Sequence, residues 1–174
     1  MAKGKLIGKG AFSYVYDQGE EVFIESIDPI KECMAHGWFP DHPLFPIVKF
    51  SDKNSCREGY YCYTMKKYNK VKSLKSALEP DQYQLYKELV NIFKSIPFIQ
   101  NQRDSFNIIR ELFDNSSLSN EIKEVMIEAI EACANYGSDV GFEISPRNVA
   151  VDNGKLILLD IFFIKSALRR QQSK

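Results

Sequence analysis

Apolar and polar positions alternate from Lys5 to Asp17 around Gly8 and Gly10, which predicts two strands joined by a glycine turn. Asp17-Gln18-Gly19-Glu20-Glu21 reads as a hairpin turn, and Val22 to Ile27, rich in β-branched and aromatic residues, as a third strand. Asp28-Pro29 ends that strand. Asp28 suits the N-cap and Pro29 the first position of a helix running from about Ile30 to His36. Gly37 to Pro46 carries Pro40, Pro43 and Pro46 and is a loop whose aromatics clamp it onto the core. Pro46 to Asp52 and Gly59 to Lys67 form another antiparallel pair, and Ser73 to Leu78 a short helix. From Asp81 the period changes. Residues 81–96, 103–114 and 119–136 repeat apolar groups at helical spacing, the last starting at Ser119 and ending near Gly137. Val149 to Val151 and Leu156 to Leu159 then flank Asn153-Gly154, a type I′ hairpin signal. Strands first, helices next and a closing hairpin make an α+β chain.

Composition narrows the class. With 44% hydrophobic and 13% aromatic residues, the 174-residue chain can build a packed core and is no disordered protein. Lys+Arg and Asp+Glu both number 23, so no net charge draws the chain to nucleic acid or membrane. The basic stretches Lys66–Lys72 and Arg169–Lys174 read as solvated. No apolar run approaches the roughly 20 residues that span a bilayer, and the N-terminus lacks a signal-peptide core. A cytoplasmic protein without nucleic-acid or membrane partners is the expectation. Cys33, Cys56, Cys62 and Cys133 show no C-x-x-C spacing, so a reduced protein is expected, with a Cys56–Cys62 pair as the alternative. His36 and His42 fit no common zinc motif, and no G-x-S-x-G nucleophile motif occurs.

Two fragments carry chemistry. Gly8-x-Gly10-x-Phe12-Ser13-x-Val15 lies between two strands and not before a helix, which excludes Rossmann and Walker loops. It fits G-x-G-x-x-G-x-V with Ser13 at the third glycine. Bare amides in such a turn can approach phosphate oxygens; the plain alternative is a tight turn. The second fragment is Gly141 to Phe163, GFEISPRNVAVDNGKLILLDIFF. Asn148 follows Glu143 by five residues, and Asp160 ends the hairpin's second strand. An asparagine and an aspartate linked by a hairpin can meet at one Mg²⁺, which takes oxygen ligands. Alternatively Asn148 caps a turn and Asp160 ends a strand.

In this order, the fragments resemble the protein-kinase fold over residues 5 to about 165, and within it the small early serine/threonine kinases of short-tailed lytic bacteriophages. The matching residues are Gly8, Gly10, Phe12, Ser13 and Tyr16, then Phe142, Glu143, Asn148, Gly154 and Asp160. The resemblance implies an antiparallel N-lobe over 1–70 and a shortened helical C-lobe over 71–174, with the catalytic-loop and metal hairpin at 141–163. It implies ATP and Mg²⁺ as ligands. Gly8, Lys9, Gly10, Phe12, Ser13 and Val15 would hold the nucleotide, Glu143 would fill the catalytic-base slot, and Asn148 and Asp160 would hold the metal.

The sequence also departs from that pattern. Val22-Phe23-Ile24-Glu25 stands where V-A-I-K supplies a phosphate-pairing lysine, placing Glu25 in its slot. Lys5, Lys9 and Lys31 are candidate replacements, and Lys9 is chosen because its turn lies over the phosphates. Gly141 and Phe142 replace the histidine and arginine before the base, and Asp160-Ile161-Phe162 lacks the D-F-G glycine. Residues 161–174 leave no room for an activation loop or a peptide-binding lobe, so the shortened lobe could pair with a second copy. The leading expectation is a degenerate kinase, a pseudokinase of phage origin that binds and modulates or inhibits a host protein, as in anti-defence. The alternatives are a minimal active Ser/Thr kinase transferring the ATP γ-phosphoryl to a host protein or itself, and a structural α+β domain that binds no nucleotide.

Overall fold

The computed structural model describes residues 4–52, 56–69, 71–96 and 102–172. Three strands open it: β1 (Lys5–Lys9), β2 (Ser13–Asp17) and β3 (Glu21–Ser26), followed by helix α1 (Pro29–Ala35). β4 (Lys49–Phe50) and β5 (Tyr61–Lys66) complete an antiparallel sheet in the order β1-β2-β3-β5-β4. Next come α2 (Leu74–Ala77), α3 (Pro80–Ser95), α4 (Gln102–Asp114), α5 (Asn120–Ala132) and a 3₁₀ turn over Ala134–Asp139. The chain closes with β6 (Val140–Phe142), β7 (Val149–Asp152), β8 (Lys155–Leu158), β9 (Phe162–Ile164) and α6 (Lys165–Gln172). β7 pairs with β8 and β6 with β9. The fold is α+β, with an antiparallel sheet ahead of the helices.

Local chemistry explains most boundaries. The Asp28 carboxylate accepts from the Ile30 amide at 3.0 Å and Pro29 occupies the first turn of α1, so one orphan amide is capped and one is absent. Ser119 caps α5 in the same way, accepting from Ile122 N at 3.3 Å. Asn153 (φ 48°) and Gly154 (φ 79°) both take the positive φ of a type I′ turn. The Gly154 carbonyl then accepts from Glu79 N at 2.9 Å, tying the hairpin tip to the start of α3.

One apolar core runs from sheet to helices. Val22 and Ile24 of β3 join Ile30 and Met34 of α1, Leu89 and Phe93 of α3, Phe113 of α4, Met126 of α5 and Leu156 and Leu158 of β8. Phe39, Phe93, Phe142 and Phe162 meet ring to ring at its centre, with centroids 5.5–6.3 Å apart. The loop after α1 is pinned there by Phe39 and Phe45, and by Leu158 N donating to Leu44 O at 2.8 Å. Trp38 does not share in that clamp. It is 55% exposed and stacks on His36 at 5.0 Å, because the turn at Gly37 (φ 73°) carries its ring outward.

The second face of the sheet has its own small cluster of Tyr16, Phe23 and Cys62, with Tyr14 and Cys56 against it. There Cys56 and Cys62 are joined as a disulfide with Cα atoms 5.9 Å apart, so the alternative pairing holds and a fully reduced chain does not. Cys33 and Cys133 are free and buried. The bridge closes a short loop. Its reduction is expected to lower stability by about 2 kcal/mol. Urea unfolding with and without dithiothreitol measures this, and a Cys56→Ser variant should show no response to the reductant.

Candidate functional site

The glycine turn connects β1 to β2 and is closed by Gly10 N donating to Ser13 O at 2.9 Å. A bulge at Ile7 shifts the register, pairing Leu6 with Tyr16 but Gly8 with Val15. Ser13 Oγ lies 2.6 Å from Ser26 Oγ, and the Phe12 carbonyl accepts from Ile27 N at 3.0 Å, fastening the turn to the end of β3. Neither Gly8 nor Gly10 has a positive φ, and a Cβ at Gly10 would meet nothing within 4 Å. The turn's own geometry therefore does not require glycine at position 10. What glycine leaves there is unobstructed approach to the backbone.

Beneath the turn is a cleft of about 520 Å³ between the sheet and the β7–β8 hairpin. Gly8, Val15, Val22, Met65, Ala150 and Leu159 give it a mostly apolar wall, and Lys67, Tyr68 and Arg147 stand among its polar lining. Its composition suits a flat apolar ring system with a polar end.

At the hairpin, the Asn148 carbonyl accepts from Leu159 N at 2.9 Å and Asp160 N at 3.2 Å, so the two candidate metal residues are held side by side. The Asn148 Nδ2 donates to Glu143 O at 3.3 Å, and Glu143 N donates to Ile161 O at 2.9 Å. β6 pairing with β9 thus closes the loop holding Glu143 against the strand that follows Asp160. Glu143 and Asp160 are both exposed. Asn148 and Asp160 offer hard oxygens, and among the described residues no group of three or more His, Cys, Asp or Glu side chains could hold a metal ion. Two protein ligands supplemented by phosphate oxygens and water suit Mg²⁺ better than an ion that needs a full protein cage.

Glu25 lies elsewhere. Alternation along β3 sends Val22 and Ile24 into the main core and Phe23 and Glu25 to the opposite face. Glu25 is 0% exposed there. It accepts from Tyr16 Oη, Arg57 N and Arg57 Nε, each at 2.9 Å. The Arg57 guanidinium also lies 3.9 Å from the Tyr14 ring centroid, and the hydrogen bonds it donates to Tyr16 and Glu25 hold its pKa above the ordinary value. The expectation that Glu25 confronts the nucleotide is corrected: a strand has period two, and a one-residue offset turns a side chain to the other face.

The three candidate lysines separate. Lys5 is exposed on the edge strand β1. Lys9 is also exposed, 5.5 Å from the Tyr14 ring centroid. Lys31, in the first turn of α1, is buried. Its Nζ donates to Leu159 O at 2.6 Å and lies 3.7 Å from Asp160 Oδ1. Packing of α1 against β9 carries it there.

Asp28, 3% exposed, completes this acidic and basic group. Burial and then the Asp160 charge push its pKa up from 3.8 to about 7, against the pull of Lys31 and the Ile30 amide. A raised acid pKa means that the folded state holds the proton where the unfolded chain has lost it. Asp28's contribution to stability is complete below about pH 4 and is lost as pH rises to about 7. Stability should fall by on the order of 3–4 kcal/mol across that window, at about 1.4 kcal/mol per pH unit. Asp28→Asn, which keeps the cap, should flatten this part of the profile in urea titrations.

No protein-family model matches the sequence. No curated protein matches it significantly. One solved structure is similar to it: a thermostable mutant of the aminoglycoside phosphotransferase APH(4)-Ia, in ternary complex with AMP-PNP and hygromycin B. The similarity covers 97% of this chain and 75% of the other, with 13% identity and a TM-score of 0.40.

Proposed function

We propose that the chain is a minimal kinase-like phosphotransferase that binds ATP with Mg²⁺ in the cleft under the glycine turn, with residues 1–70 and 71–174 as its two lobes. The observation that carries this is the junction of Asn148 and Asp160 through the Asn148 carbonyl, beside the Lys31 ammonium. The residues fit the ligand class. The apolar wall suits a purine, Gly10 leaves open space for a phosphate at the turn, and Asn148 and Asp160 supply oxygen donors. Bound Mg²⁺ would neutralise phosphate charge. In this reading Phe12, Ser13 and Val15 shape the turn over the nucleotide, with Lys9 at its outer edge. Glu143 is the carboxylate placed to accept a hydroxyl proton from the acceptor. With Glu25 on the far face, the strongest objection to nucleotide binding falls away. The test is transfer of ³²P from γ-labelled ATP to the protein itself and to host extract. Label that depends on Mg²⁺ supports the proposal, and its absence at millimolar ATP counts against transfer.

One observation favours a second reading, a pseudokinase that modulates a host protein by contact. Trp38, His36 and Phe50 form an exposed aromatic group at the end of α1 and the β4 edge, with His36 4.8 Å from Phe50. In that case Trp38→Ala and Phe50→Ala would remove the biological effect while Asp160→Ala would not. A phage source, a host-cell cytoplasmic location, an anti-defence role and pairing of two copies through the shortened helical part belong to this proposal. Among the described residues no helix is long and apolar enough to cross a membrane.

A further inference from the structure

We infer that Lys31 is the phosphate-binding cation of this chain, delivered from the first turn of helix α1 and not from strand β3; this rests on the nucleotide site proposed above. Strand β3 offers no cation to the cleft. Val22 lines it, Ile24 packs in the core, and Glu25 is bound to Arg57 on the other face. Two of the other cations nearby are engaged elsewhere: Lys67 Nζ is 2.7 Å from Asp17 Oδ2, and Lys9 reaches out over Tyr14. Arg147 lines the cleft but is exposed, so solvent screens its charge.

Lys31 differs in burial and in what it lacks. Its side chain is 8% exposed. An ammonium has three protons to donate. Among the described residues one goes to Leu159 O at 2.6 Å, and Asp160 Oδ1, at 3.7 Å, is beyond hydrogen-bond length. A buried cation with donors to spare, next to the candidate metal carboxylate, is built to receive anionic oxygens. The charge pattern of an ordinary kinase is thereby rearranged: the acid on β3 is structural, and the base on α1 lies beside Asp160.

The experiment compares adenosine with ATP by calorimetry on the wild-type chain and on Lys31→Met, Lys31→Arg and, as a control, Lys94→Ala at an exposed lysine of α3 outside the cleft lining. The wild type and Lys94→Ala should bind ATP at least about tenfold more tightly than adenosine, a difference of about 1.4 kcal/mol. Lys31→Met should bind the two alike, with adenosine affinity unchanged, and Lys31→Arg should recover part of the preference. A wild type that binds neither ligand overturns the nucleotide reading and this inference with it. A wild type that prefers ATP, with the preference intact in Lys31→Met, overturns only the role of Lys31. Should Lys31→Met not fold, the wild type is treated with an acyl-phosphate derivative of ATP. The lysine nitrogen attacks the acyl carbon, an amide bond forms, the carbon–oxygen bond to phosphate breaks, and ATP leaves as the nitrogen loses a proton. Mass spectrometry should find the acyl group on Lys31; acylation confined to Lys9 or Lys67 overturns the assignment.

Discussion

Glu25→Lys unfolds or severely weakens the protein and does not improve ATP binding. If Glu25 occupied the phosphate-pairing slot, restoring lysine would repair the site and tighten ATP. The structure predicts the reverse. The side chain is 0% exposed, on the face away from the cleft, with its carboxylate bound by Tyr16 and Arg57. Lysine there sets a buried cation against the Arg57 guanidinium and leaves the Tyr16 hydroxyl and Arg57 amide without their acceptor. Breaking a buried ion pair costs about 3–5 kcal/mol, a large share of the roughly 5–15 kcal/mol that holds a typical domain together. Urea midpoints and ATP affinity measured on the same variant decide the matter. A stable Glu25→Lys protein with tighter ATP binding would show that the face assignment is wrong. Glu25→Gln should be milder, since it keeps an acceptor for Tyr16.

Asp160→Ala should abolish the Mg²⁺-dependent part of ATP binding and reduce phosphoryl transfer by on the order of 10³-fold, the scale of losing one charge-stabilising group in such a site. The fold should survive, because the Asp160 side chain is 52% exposed and its backbone amide keeps the Asn148 carbonyl. Removing this carboxylate also relieves its repulsion of Asp28, so the variant should lose less stability than wild type between about pH 4 and 7. Thermal melts over that range, beside the transfer assay, separate a lost metal ligand from a general defect. Transfer persisting at the wild-type rate would remove Asp160 from the site.

What could be read in the sequence was local. The β1–β2 and β2–β3 hairpins, the Asp28 cap and the Asn153-Gly154 turn depend on neighbours a few residues away, and all lie where the pattern puts them. β6 and β9 escape such reading. Each is three residues long, and Val140 must find Ile164 across the whole hairpin. Helix α6 lies where the basic tail suggested a solvated end, and Ser166 at its start is tied to Asp139. Trp38 and Phe39 are adjacent and equally apolar, yet one faces solvent and the other the core, a choice made by the Gly37 turn. For the site, the glycine turn and the Asn148–Asp160 spacing were visible because both are short motifs. The face taken by Glu25 depends on strand register. The reach of Lys31 to Leu159, 128 residues further on, depends on how α1 packs against β9. Neither leaves a mark on spacing.

Binding of ATP with Mg²⁺ in the cleft is measured by a thermal-shift titration of the wild-type protein. ATP at 100 times its dissociation constant should stabilise the fold by about 2.7 kcal/mol, with a larger shift when Mg²⁺ is present than when it is chelated. No shift at millimolar ATP, with or without Mg²⁺, would contradict the account and leave the glycine turn as a structural hairpin.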